Sequence, residues 1–397
     1  MPAETPPTTD QAREALRAVV DPELGADIVE LGMVRHLDVR PDGVVAVSVA
    51  LTIAGCPLRD QIERDVRGRL GGLPGVTGVD LSIGEMDPAE KSAVMARARW
   101  KAREDAPATA VPANARVLAV ASGKGGVGKS SVTVNLAVAL ARRGLTVGVL
   151  DADIWGFSVP RLLGMDGGVQ ARDGKMVPLE RPVAGTAGRP DGLLRVLSMG
   201  FLADEDRAIM WRGLVLNRAV QQFLQDAHWG ALDYLLIDLP PGTGDVQMGL
   251  ARLLPRTEML IVTTPPLAAQ KVAARAADMA RRGSLRVAGV IENMSDFTCE
   301  HGTTYALFGT GGGGRLAAEL GVPLVGTVPL HPDLSAGGDL GQPVALGNGE
   351  LGDGELATVF ADLARSVVEE VAPVVDAAGC TARLLDHVTA AVAAAEA

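Results

Sequence analysis

Aromatic residues are scarce, 3% of a 397-residue chain that is 47% hydrophobic, so the interior this composition implies is aliphatic. Cysteine is scarcer still. The three thiols, Cys56, Cys299 and Cys380, lie far apart, which argues against a secreted disulfide framework and fits a reducing cytoplasm. No run of 18 apolar residues occurs to span a bilayer, and the opening MPAETPPTTD lacks the basic region and apolar stretch of a secretory signal. A basic excess is also missing: Lys and Arg number 37 against 48 Asp and Glu, a formal charge of -11. That balance disfavours a broad electrostatic footprint on nucleic acid or on an anionic membrane.

What is present is glycine, 48 residues, with 24 prolines and 21% charged residues, the make-up of a compact protein with many turns. At about 150 residues per domain the length allows two to three domains. A small α+β domain is expected over residues 9–87. There an apolar helical pattern runs through Ala15, Leu16 and Val19, VVAVSVAL (44–51) reads as a strand, GCP (55–57) as a turn, LRDQIERDVRGRL (58–70) as a charged amphipathic helix and 76–83 as a strand. Residues 88–114, rich in Ala, Pro, Lys and Arg, read as a linker. From 115 to 371 short apolar runs (VLAVAS, TVGVLDAD, YLLIDLP, MLIVTTP, RVAGVIEN, VPLVGTVP) alternate with helical segments. This is the pattern of an α/β doubly wound, mostly parallel sheet covered on both faces. Residues 372–397 read as an Ala-rich helix or tail.

The sharpest motif is SGKGGVGKSS, Ser122 to Ser131, between the run VLAVA and a helical pattern. It satisfies G-x-x-x-x-G-K-S in strand, loop, helix context, the phosphate loop of nucleoside triphosphatases. Gly123, Gly125, Gly126 and Gly128 are expected to permit backbone turns closed to other residues. The amides of Gly123, Lys124, Gly125, Gly126, Val127, Gly128, Lys129, Ser130 and Ser131 then converge on phosphate oxygens at a helix N-terminus. Lys129 is placed to reach the β- and γ-phosphates of ATP, Ser130 to ligate Mg2+ and Ser131 to touch the α-phosphate. Downstream, Asp151 and Asp153 follow one apolar strand, and Asp238 closes another ahead of PPGTGD. Open α/β sheets present ligand groups at such carboxyl ends.

The extra lysine, Lys124, makes GKGGVGK similar to the deviant Walker A of the MinD, ParA and nitrogenase iron protein group. That resemblance implies a nucleotide-sandwich homodimer in which Lys124 reaches the partner's phosphates, Asp153 orients the attacking water and also lies at the Mg2+ site, and Asp238 is the Walker B acid near Mg2+. The match extends through DADIWGFSVPRLLG (from 151), MWRGLVLNRAVQQFL (from 210), LDYLLIDLPPGTGDVQ (from 232), IENMSDFTCEHG (from 291) and LFGTGGG (from 307). These segments resemble the Mrp/ApbC iron-sulfur cluster carrier ATPases. DPELGADIVELGMV (from 21) and the GCP turn resemble the small iron-sulfur assembly domain that many of them carry. The resemblance implies a slow, Mg-dependent ATPase that carries a cluster, [4Fe-4S] in type, between scaffold and recipient apo-proteins, with Asn293 at the adenine.

One departure stands out. The family commonly has C-x-x-C after the NMS segment, whereas here Cys299-Glu300-His301-Gly302 keeps one cysteine. Two copies supply two Cys299 thiolates, and a [4Fe-4S] cluster ordinarily takes four protein ligands; His301 from each chain is the candidate for the rest. The other histidines, His36, His228, His331 and His387, share no metal-ligand spacing. Cys56, in a turn before a helix, is a weaker ligand candidate beside the alternative of a packed structural thiol, and Cys380 receives no role. The rival readings are a cluster-free dimeric ATPase scaffold and a MinD- or ParA-like positioning switch. The latter would need a basic amphipathic C-terminal helix or DNA-binding positive surface, and TARLLDHVTAAVAAAEA and the acidic balance offer neither. An electron-transferring reductase like the nitrogenase iron protein needs a second cysteine in the ATPase domain, and none lies between Cys56 and Cys299.

Overall fold

The computed structural model describes residues 5–21, 24–52, 59–104, 106–153, 156–186, 188–201, 213–242, 244–347 and 354–374. The GCP turn with Cys56, residues 210–212 of the MWRG segment and Cys380 lie outside them. The chain divides into two compact units, residues 1–106 with 282–284, and residues 107–281 with 285–397. No helix among the described residues is long and apolar enough to cross a membrane.

The first unit runs α1 (Thr9–Leu16), β1 (Val34–Val39), β2 (Val44–Leu51), α2 (Arg59–Gly71), β3 (Gly78–Glu85) and α3 (Pro88–Glu104). Thr8 caps α1 in a reciprocal capping box with Gln11, satisfying amide donors the first turn leaves without partners. The sheet has order β1-β2-β3, with β1 antiparallel and β3 parallel to β2. Val45, Val47 and Val49 alternate along β2 onto one face, where Leu16, Ile62, Val66 and Leu70 close over them. The segment expected as a linker is a 17-residue helix over its first part, and Val94 and Ala98 belong to this same core. The local chemistry explains the difference. Asp87 caps the amides of Ala89 and Glu90 at 2.8 Å each, Glu90 returns a carboxylate to the Asp87 amide at 2.9 Å, and Pro88 occupies the first turn, where its missing N–H costs nothing. Ala, Lys and Arg, part of the composition that reads as linker, are also among the strongest helix formers.

The second unit opens with β4 (Arg116–Ser122), α4 (Lys129–Ala141), β5 (Thr146–Asp151) and α5 (Val159–Leu162). A small hairpin of β6 (Gln170–Arg172) and β7 (Lys175–Val177) precedes β8 (Leu179–Val183), β9 (Gly192–Ser198), α6 (Gly213–Gln225), β10 (Tyr234–Asp238), α7 (Asp245–Leu253), β11 (Glu258–Thr263) and α8 (Leu267–Arg282). Then follow β12 (Arg286–Asn293), a second hairpin of β13 (Phe297–Thr298) and β14 (Thr304–Tyr305), α9 (Gly312–Leu320), β15 (Leu324–Val328), α10 (Pro332–Asp339) and α11 (Glu355–Ser366). An eight-stranded sheet has the order β15-β12-β11-β4-β10-β5-β9-β8, parallel except for the edge strand β8. The doubly wound architecture is visible within single strands: Leu118 and Val120 of β4 face one core layer with α4 and α11, while Val117, Ala119 and Ala121 face the other with α6, α8 and α9. Strand β9 carries no continuous apolar run, because Arg195 interrupts it; that guanidinium is spent on Glu180 at 2.9 Å and on the Trp229 carbonyl at 2.6 Å.

The interior is mainly aliphatic, yet Trp229, Tyr234, Phe223 and Phe360 are among the largest fully buried side chains. The two with polar atoms meet partners, Trp229 Nε1 donating to the Phe223 carbonyl at 2.9 Å and Tyr234 Oη to the Ala372 carbonyl at 2.5 Å. Burial pushes the Tyr234 phenol up to about 12.

Placing α3 in the first core makes Val94→Asp a discriminating change. A buried carboxylate without a partner costs well over 1.4 kcal/mol, so β2 amides should exchange hydrogen at least about tenfold faster. A surface linker would give no change beyond about 0.5 kcal/mol.

Candidate nucleotide site

The site sits where the parallel strands end. Strand β10 lies between β4 and β5, and the register sets Asp238 beside Val120 on one side and Asp151 on the other, with Asp151 in turn beside Ser198 of β9. The phosphate loop leaves β4 at Ser122 and enters α4 at Lys129, with Gly126 and Gly128 at φ 78° each and Gly128 as N-cap. Side chains avoid that left-handed region. Gly123 meets a different demand: a Cβ there would lie 2.2 Å from the Val272 carbonyl carbon of α8. Gly125 was expected to need a special turn, but it has neither a left-handed φ nor a crowded Cβ position, Pro241 Cγ being 4.0 Å away.

Lys129 Nζ stands 2.8 Å from Asp238 Oδ2, at 6% and 0% side-chain exposure. Ser130 Oγ donates to the same oxygen at 2.5 Å, and the Thr133 hydroxyl lies 2.8 Å from Oδ1 and 3.0 Å from the Lys129 carbonyl oxygen. Thr133 is a participant that the motif did not name. It lies four residues beyond Lys129 on α4, hence on the same face. Removing one partner of a buried pair such as Lys129 and Asp238 strands a charge at a cost of about 3 to 5 kcal/mol.

Asp151 is an organiser of the loop after β5. Its Oδ1 accepts the Asp153 amide at 3.1 Å, and its Oδ2 accepts the Ser158 and Val159 amides at 3.2 Å each and the Ser198 hydroxyl at 3.0 Å. Asp153 itself is half-buried. Burial, with the neighbouring Asp238 charge second, pushes the Asp151 carboxyl up to about 7 against the pull of those hydrogen bonds. Lys124 is exposed on the loop. Asn293, expected at the adenine, is 5% exposed, and its Nδ2 donates to the Val127 carbonyl at 2.8 Å, bracing the phosphate loop from β12.

Cys299 lies apart from these groups in the turn of the β13–β14 hairpin. Its amide donates to the Thr303 carbonyl at 3.0 Å, and the Gly302 amide (φ 77°) donates to the Cys299 carbonyl at 2.8 Å. Backbone N–H groups of His301 and then Thr303 point at the sulfur and hold its thiol below the ordinary range. The contribution of His301 that is visible here is therefore its amide; its imidazole is 80% exposed, 3.9 Å from Glu300. Among the described residues no three His, Cys, Asp or Glu side chains are grouped to hold a metal ion.

A glycine-rich loop at a helix N-terminus, with an invading lysine and a strand-end carboxylate on a parallel sheet, defines the class of P-loop nucleoside triphosphatases. The family model described as NUBPL iron-transfer P-loop NTPase matches residues 114–368, and the chain belongs to that family. A second model, iron-sulfur cluster assembly protein, matches residues 9–81. Among curated relatives, the iron-sulfur cluster carrier protein of Mycobacterium tuberculosis H37Rv is 45% identical over 88% of this chain and 91% of its own length. Those of Synechocystis and Bacillus subtilis are 40% and 39% identical, over 89% and 82% of this chain and 96% and 89% of theirs.

The folded protein holds the Asp151 proton more tightly than the unfolded chain, where an aspartate titrates near about 3.9. Stability from this group is thus present below that value and is lost as pH rises from about 4 to about 7. Urea unfolding without nucleotide or Mg2+ should show Asp151→Asn improving relative to wild type across that window. A pH-independent difference would contradict the assignment.

Proposed function

We propose that the chain is a homodimeric, Mg-dependent ATPase that carries an iron-sulfur cluster and hands it to recipient apo-proteins in a reducing cytoplasm. The observation that carries the nucleotide half is the buried Lys129–Asp238 pair, joined by the half-buried Ser130, at the N-terminus of α4. Membership in an iron-transfer family and relatives named as cluster carriers support the cargo half.

In this reading the loop amides from Gly123 to Ser131 receive the phosphates of ATP, and Lys129 exchanges Asp238 for the β- and γ-phosphate oxygens. The oxygens of Ser130, Asp238 and the nearby Asp153 suit a hard cation. Magnesium, when bound, supplies neutralisation of phosphate charge. Ser131 contacts the α-phosphate, and Asp153 orients the attacking water, its loop held by the Asp151 carboxylate. The bond to Val127 uses one N–H of Asn293, whose other N–H and Oδ1 suit the edge of a purine. Lys124, exposed and free of any core role, reaches the partner's phosphates. Lys124→Ala should retain nucleotide binding, measured with a fluorescent ATP analogue, while phosphate release falls by about 10³ to 10⁵. Undiminished turnover would remove the cross-dimer role.

Cargo is taken by Cys299 thiolates from two copies, with His301 completing the set around a [4Fe-4S] cluster. Amide hydrogen bonds to the sulfur favour the thiolate, the ligating form. The single cysteine of Cys299-Glu300-His301-Gly302, where the family commonly has two, favours the rival, a cluster-free ATPase scaffold. Anaerobic reconstitution with iron and sulfide separates the two readings. The carrier reading expects iron and a visible chromophore in wild type and their loss in Cys299→Ser, whereas equal, negligible iron in both selects the scaffold.

A further inference from the structure

The hairpin that carries Cys299 belongs to an excursion, residues 294–312, whose two ends are fastened at consecutive residues of β12. At the entrance Asn293 Nδ2 is bonded to the Val127 carbonyl of the phosphate loop at 2.8 Å. The packing there is tight, since a Cβ on Gly128 would lie 2.2 Å from that nitrogen and 3.8 Å from Met294 Cε. At the exit the buried Glu292 carboxylate accepts the Gly313 amide, and a Cβ on Gly313 would stand 2.6 Å from Glu292 Cβ. Successive strand residues point to opposite faces of a sheet, so one fastening lies on each face of the tip of β12.

Between Asn293 and the hairpin there is little slack. Met294 sits at φ 54°, a left-handed conformation uncommon for a side chain of this kind and costing of order 1 to 3 kcal/mol. The Ser295 amide donates to the Val328 carbonyl at 3.1 Å, and the Leu330 amide to the Asp296 carbonyl at 2.7 Å, extending the β12–β15 pairing to the root of β13. Beyond that root the excursion is weakly held by burial: Tyr305, Leu307 and Phe308 are 48%, 57% and 47% exposed. A segment with few buried apolar contacts takes its position from its anchors.

We infer that Asn293 is a positioning residue that transmits occupancy of the phosphate loop to the Cys299 hairpin through the constrained stem 294–296. Nucleotide that orders the loop around Val127 and Gly128 fixes Asn293, Asn293 fixes the stem, and the stem fixes the turn whose amides cradle the sulfur. The inference rests on the nucleotide reading above and adds a route from that site to the cargo thiol.

Hydrogen exchange of the full chain with and without saturating Mg-ADP tests it, at a concentration where light scattering gives the same mass in both states. Wild type should show residues 124–131 slowed and residues 297–305 slowed by at least about threefold. In Asn293→Ala, with ADP raised until 124–131 is again protected, the hairpin should no longer respond. Met294→Gly, which keeps the carboxamide and introduces slack, should lose at least half of the hairpin response, and this variant decides if Asn293→Ala cannot be saturated or does not fold. Protection of 124–131 alone in wild type overturns the coupling and leaves nucleotide binding standing, as does a hairpin response that survives both substitutions. Protection of neither segment removes the nucleotide reading and the coupling with it.

Discussion

Everything at the carboxyl edge of the large sheet is arranged around a carboxylate with no exposure to water. Asp238 is affordable there only because Lys129, Ser130 and Thr133 satisfy it from a single helix, and α4 can present all three because it begins where the phosphate loop ends. The strand order does the rest. With β10 between β4 and β5, the loop, the Asp238 carboxylate and the Asp151-organised turn meet within neighbouring strand ends. Burial first, and then the charge of the neighbouring Asp238, make Asp151 hold its proton well above the ordinary aspartate range.

The same economy governs the hairpin. Strand β12 ends in Glu292 and Asn293, and the pleat sends one side chain to each face of the sheet, so two adjacent residues engage two glycine-rich loops. Glycine at 128 and 313 is what allows such close approach, because a Cβ at either position would collide with the strand residue. The phosphate loop and the residue from which the Cys299 hairpin departs are thus bonded although 166 residues separate Val127 from Asn293 in the sequence, a distance that β12 and the parallel topology collapse.

Much of this was legible in the chain. SGKGGVGKSS announced itself because its chemistry is local: glycines, lysine and hydroxyls follow one another, and the flanks declare a strand and a helix. The apolar runs declared buried parallel strands for the same reason. Two elements were less legible, one because its charge is satisfied from far away and one because its composition is shared with linkers. Strand β9 is broken by Arg195, whose charge is satisfied by a residue on another strand and a distant carbonyl. The helix α3 has linker-like composition, although Asp87, Pro88 and Glu90 spell out a capped N-terminus.

By itself, then, the sequence determined the phosphate loop and most of the elements, since periodicity, turn residues and capping act between near neighbours. Tertiary structure alone decided that Asp238 faces Lys129, that Asp151 is shared between a loop amide and Ser198, that Asn293 braces Val127, and that the Cys299 sulfur is cradled by the amides of His301 and Thr303. Each of these depends on strand order, register or the exact path of a turn, and desolvation then fixes their chemistry, because the strength of a charge and the pKa of an acid depend on what the rest of the chain excludes from around them.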